Sequence, residues 1–66
     1  MYTKHAKEQM TKRSISHNNI IKALSNGTTM INRNDPNKRT IIDNAQGLYV
    51  VTNDSKTIVI TTFWRN

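Results

Sequence analysis

The spacing of apolar residues changes near the middle of the chain. From Tyr2 to Leu24 they recur at helical steps, whereas from Met30 onward they alternate or run in short β-branched blocks. Tyr2, Ala6, Met10 and Arg13 follow steps of four and three, while Lys4, Lys7, Glu8 and Thr11 lie largely elsewhere. That pattern predicts a first helix capped by Thr3 and ending near Lys12, with one apolar stripe. His5, Gln9 and Arg13, each four apart, form a polar strip beside the stripe. Ser16 reads as the cap of a second helix whose buried face is Ile20, Ile21 and Leu24. Asn19 stands where a capping box has Glu or Gln, so the box is expected to be incomplete. Asn26-Gly27 supplies the stop, with glycine accepting the left-handed conformation after the helix.

Four strands follow in the pattern. Thr28–Arg33 closes on the turn Asn34-Asp35-Pro36-Asn37, where proline presets φ and the Asx side chains bond their own backbone. Lys38–Asp43, a turn around Asn44–Gly47, Leu48–Thr52, and the turn Asn53-Asp54-Ser55 come next. Lys56–Arg65 is the longest and divides by face: Ile58, Ile60, Thr62 and Trp64 on one side, Thr57, Val59, Thr61 and Phe63 on the other. Turns this short join antiparallel neighbours. The expected fold is α+β, a single domain over 1–66 with two N-terminal helices packed on a four-stranded antiparallel sheet. The pairs Ile41/Ile42 and Val50/Val51 make both sheet faces partly apolar. The helices account for one face; the other is explained by strand propensity or by binding.

Composition narrows the function classes. Apolar residues make up 35% of the 66, against roughly 45–50% in an average globular chain, a figure that also counts Gly. The core is therefore small. With no cysteine there is neither a disulfide, nor a thiolate metal site, nor a thiol nucleophile, and two scattered histidines and four acids make a protein-only zinc site an unpromising reading. The longest unbroken apolar run, Ile58-Val59-Ile60, is far too short to span a membrane as a helix. No apolar stretch follows the first lysines, so no signal peptide is expected and the protein is expected to act in the cytoplasm. Ten Lys and Arg against four acids give +6, which implies a polyanionic partner, an acidic protein partner, or both.

Few side chains can carry chemistry. His5 can exchange a proton with a ribose hydroxyl, since histidine titrates near neutrality; the ordinary alternative is a helix-surface ring bonded to backbone. His17, one residue past a helix cap, reads as a solvated histidine. Arg13, between the helices, and Lys38-Arg39, opening a strand, can grip phosphate through planar or point charge, or simply keep a sheet edge soluble. Trp64 either stacks a base, with Arg65 beside it, or caps the core. Of Thr61 and Thr62, only one can point at the helices, leaving the other for the opposite surface. Gly-rich phosphate loops, paired carboxylates and a serine elbow are all missing from the sequence. Phosphate chemistry in such a chain needs no cofactor, and it favours RNA, which carries its own nucleophile in the 2′-hydroxyl.

The segment Tyr2-Thr3-Lys4-His5-Ala6-Lys7-Glu8-Gln9-Met10, followed by Arg13-Ser14-Ile15-Ser16, then Asn26-Gly27 and Val59-Ile60-Thr61, resembles a bacterial and phage family filed as a domain of unknown function. That family looks like a compact branch of the barnase/EndoU/colicin/RelE superfamily of ribonuclease toxins, and also occurs as the C-terminal module of larger secreted toxins. The resemblance covers essentially the whole chain. It implies a RelE-like fold and marks His5, Arg13 and Thr61 as site residues, with Arg39 as a phosphate contact. The family more often has Gly at Ser14 and Glu at Asn19.

The resulting expectation is a metal-independent endoribonuclease of toxin type, with transfer RNA among its candidate substrates. His5 would remove the 2′-hydroxyl proton, Arg13 and Arg39 would stabilise charge on the phosphate oxygens, and Thr61 would position the phosphate. Lys38, Trp64 and Arg65 would bind flanking RNA. An acidic antitoxin or immunity protein is the expected protein partner. The competing expectation is a basic module, from a phage or plasmid, that binds RNA or a host protein without catalysis.

Overall fold

A computed structural model describes residues 1–65. The elements run α1 (Lys4–Arg13), α2 (His17–Asn26), β1 (Thr28–Ile31), β2 (Lys38–Asp43), β3 (Leu48–Asn53) and β4 (Val59–Trp64). The strands form one antiparallel sheet in the order β1-β2-β3-β4. Both helices pack on the same face of it, α1 over β4 and α2 over β2 and β3. This is the expected α+β fold.

Each helix is held at its start by its predicted cap. Thr3 Oγ1 accepts from Ala6 N at 3.0 Å and donates to the Ile60 carbonyl at 2.9 Å, so one hydroxyl begins α1 and ties it to β4. The capping box of α2 is complete, contrary to expectation. Ser16 Oγ accepts from Asn19 N, and Asn19 Oδ1 accepts from Ser16 N at 2.8 Å. The shorter Asn side chain reaches the cap as Glu would, and its amide is left to donate elsewhere.

The end of α1 is more demanding. Ser14 adopts the left-handed conformation (φ 56, ψ 44), and Ile15 N donates back to the Met10 carbonyl at 2.8 Å. That closes the helix and drops Ile15 into the core, but places a Cβ where glycine is favoured. At the end of α2 the expectation was a left-handed Gly27, and the backbone there is extended instead (φ −77, ψ 163). Glycine is required at that position for a different reason. A Cβ would stand 2.5 Å from Ile41 Cγ2 and 2.6 Å from the Ala23 carbonyl oxygen.

The core is small, as composition implies: Ala6, Ile15, Ile20, Ala23, Ile41, Leu48, Val50 and Val59 are buried, with Tyr2, Met10, Leu24 and Trp64 packed around them. Ile21, expected inside, is 46% exposed, because the stripe facing the sheet runs through Ile20, Ala23 and Leu24. β1 stops at Ile31, two residues short of the expected end, as Asn32 turns the chain by accepting from Asn34 N.

β4 differs most from expectation. It begins at Val59, because Asn53 Oδ1 accepts from both Thr57 N and Ile58 N and holds the preceding residues in a loop. Val51 then pairs with Thr61, but Thr52 pairs with Val59, so Ile60 is an extra residue in a β-bulge. The bulge resets the faces. Val59, Thr62 and Trp64 share the helix side, and Thr61 and Phe63 share the other with Tyr49, Val51, Ile42 and Thr40. Residues before α1 add a short parallel contact to the outer side of β4, with Val59 N donating to the Met1 carbonyl and Thr3 N to the Val59 carbonyl. No helix of the described residues is long and apolar enough to cross a membrane.

Candidate functional site

The position of α1 along the edge strand follows from two clamps. At its start, Thr3 N donates to the Val59 carbonyl; at its end, Trp64 Nε1 donates to the Arg13 carbonyl at 2.7 Å. A helix of ten residues is about 15 Å long and a strand of six about 20 Å. Fastened at both ends, α1 therefore lies alongside β4, and its two flanks differ. The flank with Ala6 enters the core, while the strip at steps of four looks onto the outer side of β4.

Between that strip and the strand lies a cleft of about 400 Å³, lined by His5, Gln9, Arg13, Thr61, Thr62, Phe63 and Trp64. Three of the four residues expected to act on phosphate, His5, Arg13 and Thr61, come together here from opposite ends of the chain. Gln9 Oε1 accepts from Arg13 Nε at 2.7 Å. This aims the guanidinium and leaves its two terminal nitrogens without a hydrogen bond among the described residues, the pair that can grip a phosphate through two parallel bonds. The His5 ring is exposed and likewise makes no hydrogen bond among the described residues. Thr62 is buried and donates to the Tyr49 carbonyl at 2.7 Å, so Thr61 is the hydroxyl that borders the cleft. No carboxylate lines it.

The remaining expected residues lie apart. Arg39 belongs to β2, two strands away, on the helix-side register with Thr52, and its guanidinium donates to the Pro36 and Lys38 carbonyls. It cannot share a phosphate with Thr61, which faces the other way. Lys38 is ion-paired with Asp35 at 3.6 Å at the far end of β2. Arg65 follows β4 and donates to Asn44 Oδ1 at 2.8 Å. Trp64 does border the cleft, but its indole packs on the core and its N–H is committed to Arg13. Phe63 was not singled out from sequence. Its stacking on Tyr49, with ring centroids 5.2 Å apart, depends on the register set by the Ile60 bulge.

Two polar assemblies outside the cleft hold the scaffold. Tyr2 Oη is hydrogen-bonded to His17 Nδ1, with the rings edge-on, so His17 pins the first turn of α2 to the entrance of α1. Burial raises the Tyr2 hydroxyl above its ordinary pKa. In the same first turn of α2, Gln46 accepts from Asn19 Nδ2 and donates to both the Asn19 carbonyl and Asp43 Oδ2. Asp43 also accepts from Ala45 N and Gln46 N. The Gln46 side-chain bond, helped by these backbone donors and by Lys22 and opposed by burial, lowers the Asp43 pKa. Among the described residues, no three His, Cys, Asp or Glu side chains converge.

The chain belongs to the family described as a domain of unknown function, DUF4258, whose model matches residues 2–64. No curated protein and no solved structure matches it.

Proposed function

We propose that this protein is an endoribonuclease of toxin type, related to the barnase/EndoU/colicin/RelE enzymes, that cleaves RNA by attack of a ribose 2′-hydroxyl. The observation that carries the reading is the convergence of an imidazole, an aimed guanidinium and a hydroxyl on one open cleft of nucleotide size. In this mechanism His5 takes the 2′-hydroxyl proton, the oxygen bonds to the adjacent phosphorus, and the bond from phosphorus to the 5′-oxygen breaks. A 2′,3′-cyclic phosphate remains, and the leaving oxygen takes its proton from water, since no second acid lines the cleft. Arg13 stabilises the charge that grows on the non-bridging oxygens, and Thr61 donates to one of them. The net charge of +6 draws the substrate in and suits an acidic antitoxin or immunity protein covering the same face.

The test is incubation of the purified protein with bulk and transfer RNA, with and without EDTA, beside His5→Ala. Cleavage that persists in EDTA and falls about 10²–10⁴-fold in His5→Ala supports the reading; cleavage abolished by EDTA, or untouched in His5→Ala, overturns it. One observation favours a second reading, a basic module that binds without catalysis: nothing among the described residues orients the His5 ring. Under that reading, expression without a partner leaves bacterial growth and RNA intact.

A further inference from the structure

The face of the sheet opposite the helices is uncovered. Near one end of it run Ile42, Tyr49 and Phe63 on neighbouring strands, with Thr40, Val51 and Thr61 as the middle row. Lys38 stands at one end of this face and Arg65, two residues beyond Phe63, at the other. No acidic residue occupies a strand position on it, because Asp43 points to the helix side with Leu48 and is buried. Phe63 is placed at the junction of two surfaces. Tyr49 stacks on it from the β3 side with the rings 28° from parallel, and the cleft borders it on the other.

We propose that Phe63, backed by Tyr49, is the platform on which a base of single-stranded RNA stacks when its phosphate enters the cleft, and that the strand continues over the uncovered face toward Lys38. The inference rests on the cleft's reading as a ribonuclease site and names the form of its substrate. Every base presents a π-face, so a ring at this position holds a strand without selecting its sequence. A duplex cannot use it, since its bases are already stacked on one another. Two adjacent aromatic rings beside the Arg13 guanidinium, on a face with no acidic residue at a strand position, match a base-bearing phosphate backbone rather than an acidic peptide, which would not require paired rings. Trp64 is not the stacking residue, because its indole is held between the core and the Arg13 carbonyl.

The experiment is fluorescence anisotropy with a labelled single-stranded oligodeoxynucleotide, which lacks the 2′-hydroxyl and so reports binding whether or not the protein cleaves RNA. A second oligonucleotide of the same length, abasic at several consecutive positions, keeps the phosphates and removes the bases. Wild type is expected to bind the abasic strand roughly 5- to 100-fold more weakly than the intact one, the range for losing one stacked base. Phe63→Leu is expected to show the same loss on the intact strand and no further loss on the abasic one, whereas Phe63→Tyr binds as wild type. Equal affinity of wild type for both strands overturns the platform, without any variant having to fold. So does unchanged binding by Phe63→Leu, and the face then falls to a protein partner. Base-dependent binding without RNA cleavage keeps the platform and overturns the ribonuclease reading alone.

Discussion

At the scale of single residues, the most constrained polar group is outside the cleft. Asp43 is buried yet accepts from Gln46 Nε2 and two backbone N–H groups, which hold its pKa down. A carboxyl whose pKa is lower folded than unfolded stabilises the fold above its unfolded value, about 3.9, and loses that contribution as pH falls through the folded value. Thermal unfolding followed from pH 7 to pH 2 is therefore expected to show an acid decline that is shallower in Asp43→Asn. That variant also melts lower at pH 7, because its amide would set a donor against the Gln46 amide. An acid decline of equal depth in both proteins would mean Asp43 is not coupled to folding. Residue type singled out His5 and Arg13 in the sequence, the resemblance chose Thr61 over Thr62, and the fold brings the three to one cleft. The sequence could not reveal Asp43 and Gln46, whose partnership exists only once a turn folds back on α2. Nor could it show that Arg39 bonds its own hairpin and lies on the other face.

At the scale of elements, two residues with a Cβ take a left-handed backbone, Lys56 in the turn before β4 and Ser14, whose conformation lets Ile15 turn into the core. Glycine adopts this conformation without a Cβ clash. Ser14→Gly is expected to stabilise the protein by about 1 kcal/mol, raising Tm by roughly 4–8 °C in a domain of this size; a lower Tm would mean the Ser14 side chain contributes more than its backbone strain removes. Both helices were legible from their caps and apolar steps, and the strands from alternation and turns. The bulge at Ile60 was not. One extra residue exchanges the faces of everything before it, and the run from Lys56 to Trp64 alternates smoothly enough to conceal the interruption. The completed capping box at Asn19 was hidden for a related reason, since Asn reaches the same N–H by a shorter path.

At the scale of the whole molecule, the charge of +6 becomes a question of where the cations stand. Arg13 in the cleft, with Arg65 and Lys38 at the ends of the uncovered face, can follow one strand; Arg39 and Lys22 cannot. Single-stranded RNA bound to His5→Ala should lose affinity with salt at a log–log slope near −2, about −0.7 for each of three contacts. Arg13→Ala should flatten the slope by about one contact, whereas Arg39→Ala and Lys22→Ala leave it unchanged. Equal flattening by Arg13→Ala and Lys22→Ala would mean diffuse attraction rather than a path.

The central claim is that the cleft performs transesterification on RNA, and the product's chemistry tests it most directly. A single-stranded RNA oligonucleotide is incubated with wild type in EDTA and the fragments are weighed by mass spectrometry, with His5→Ala and the DNA oligonucleotide of the same sequence alongside. A 2′,3′-cyclic phosphate on the upstream fragment with wild type alone, and no cleavage of DNA, is the result expected. Cleavage of the DNA strand, or the same cyclic product from His5→Ala at the wild-type rate, would contradict it.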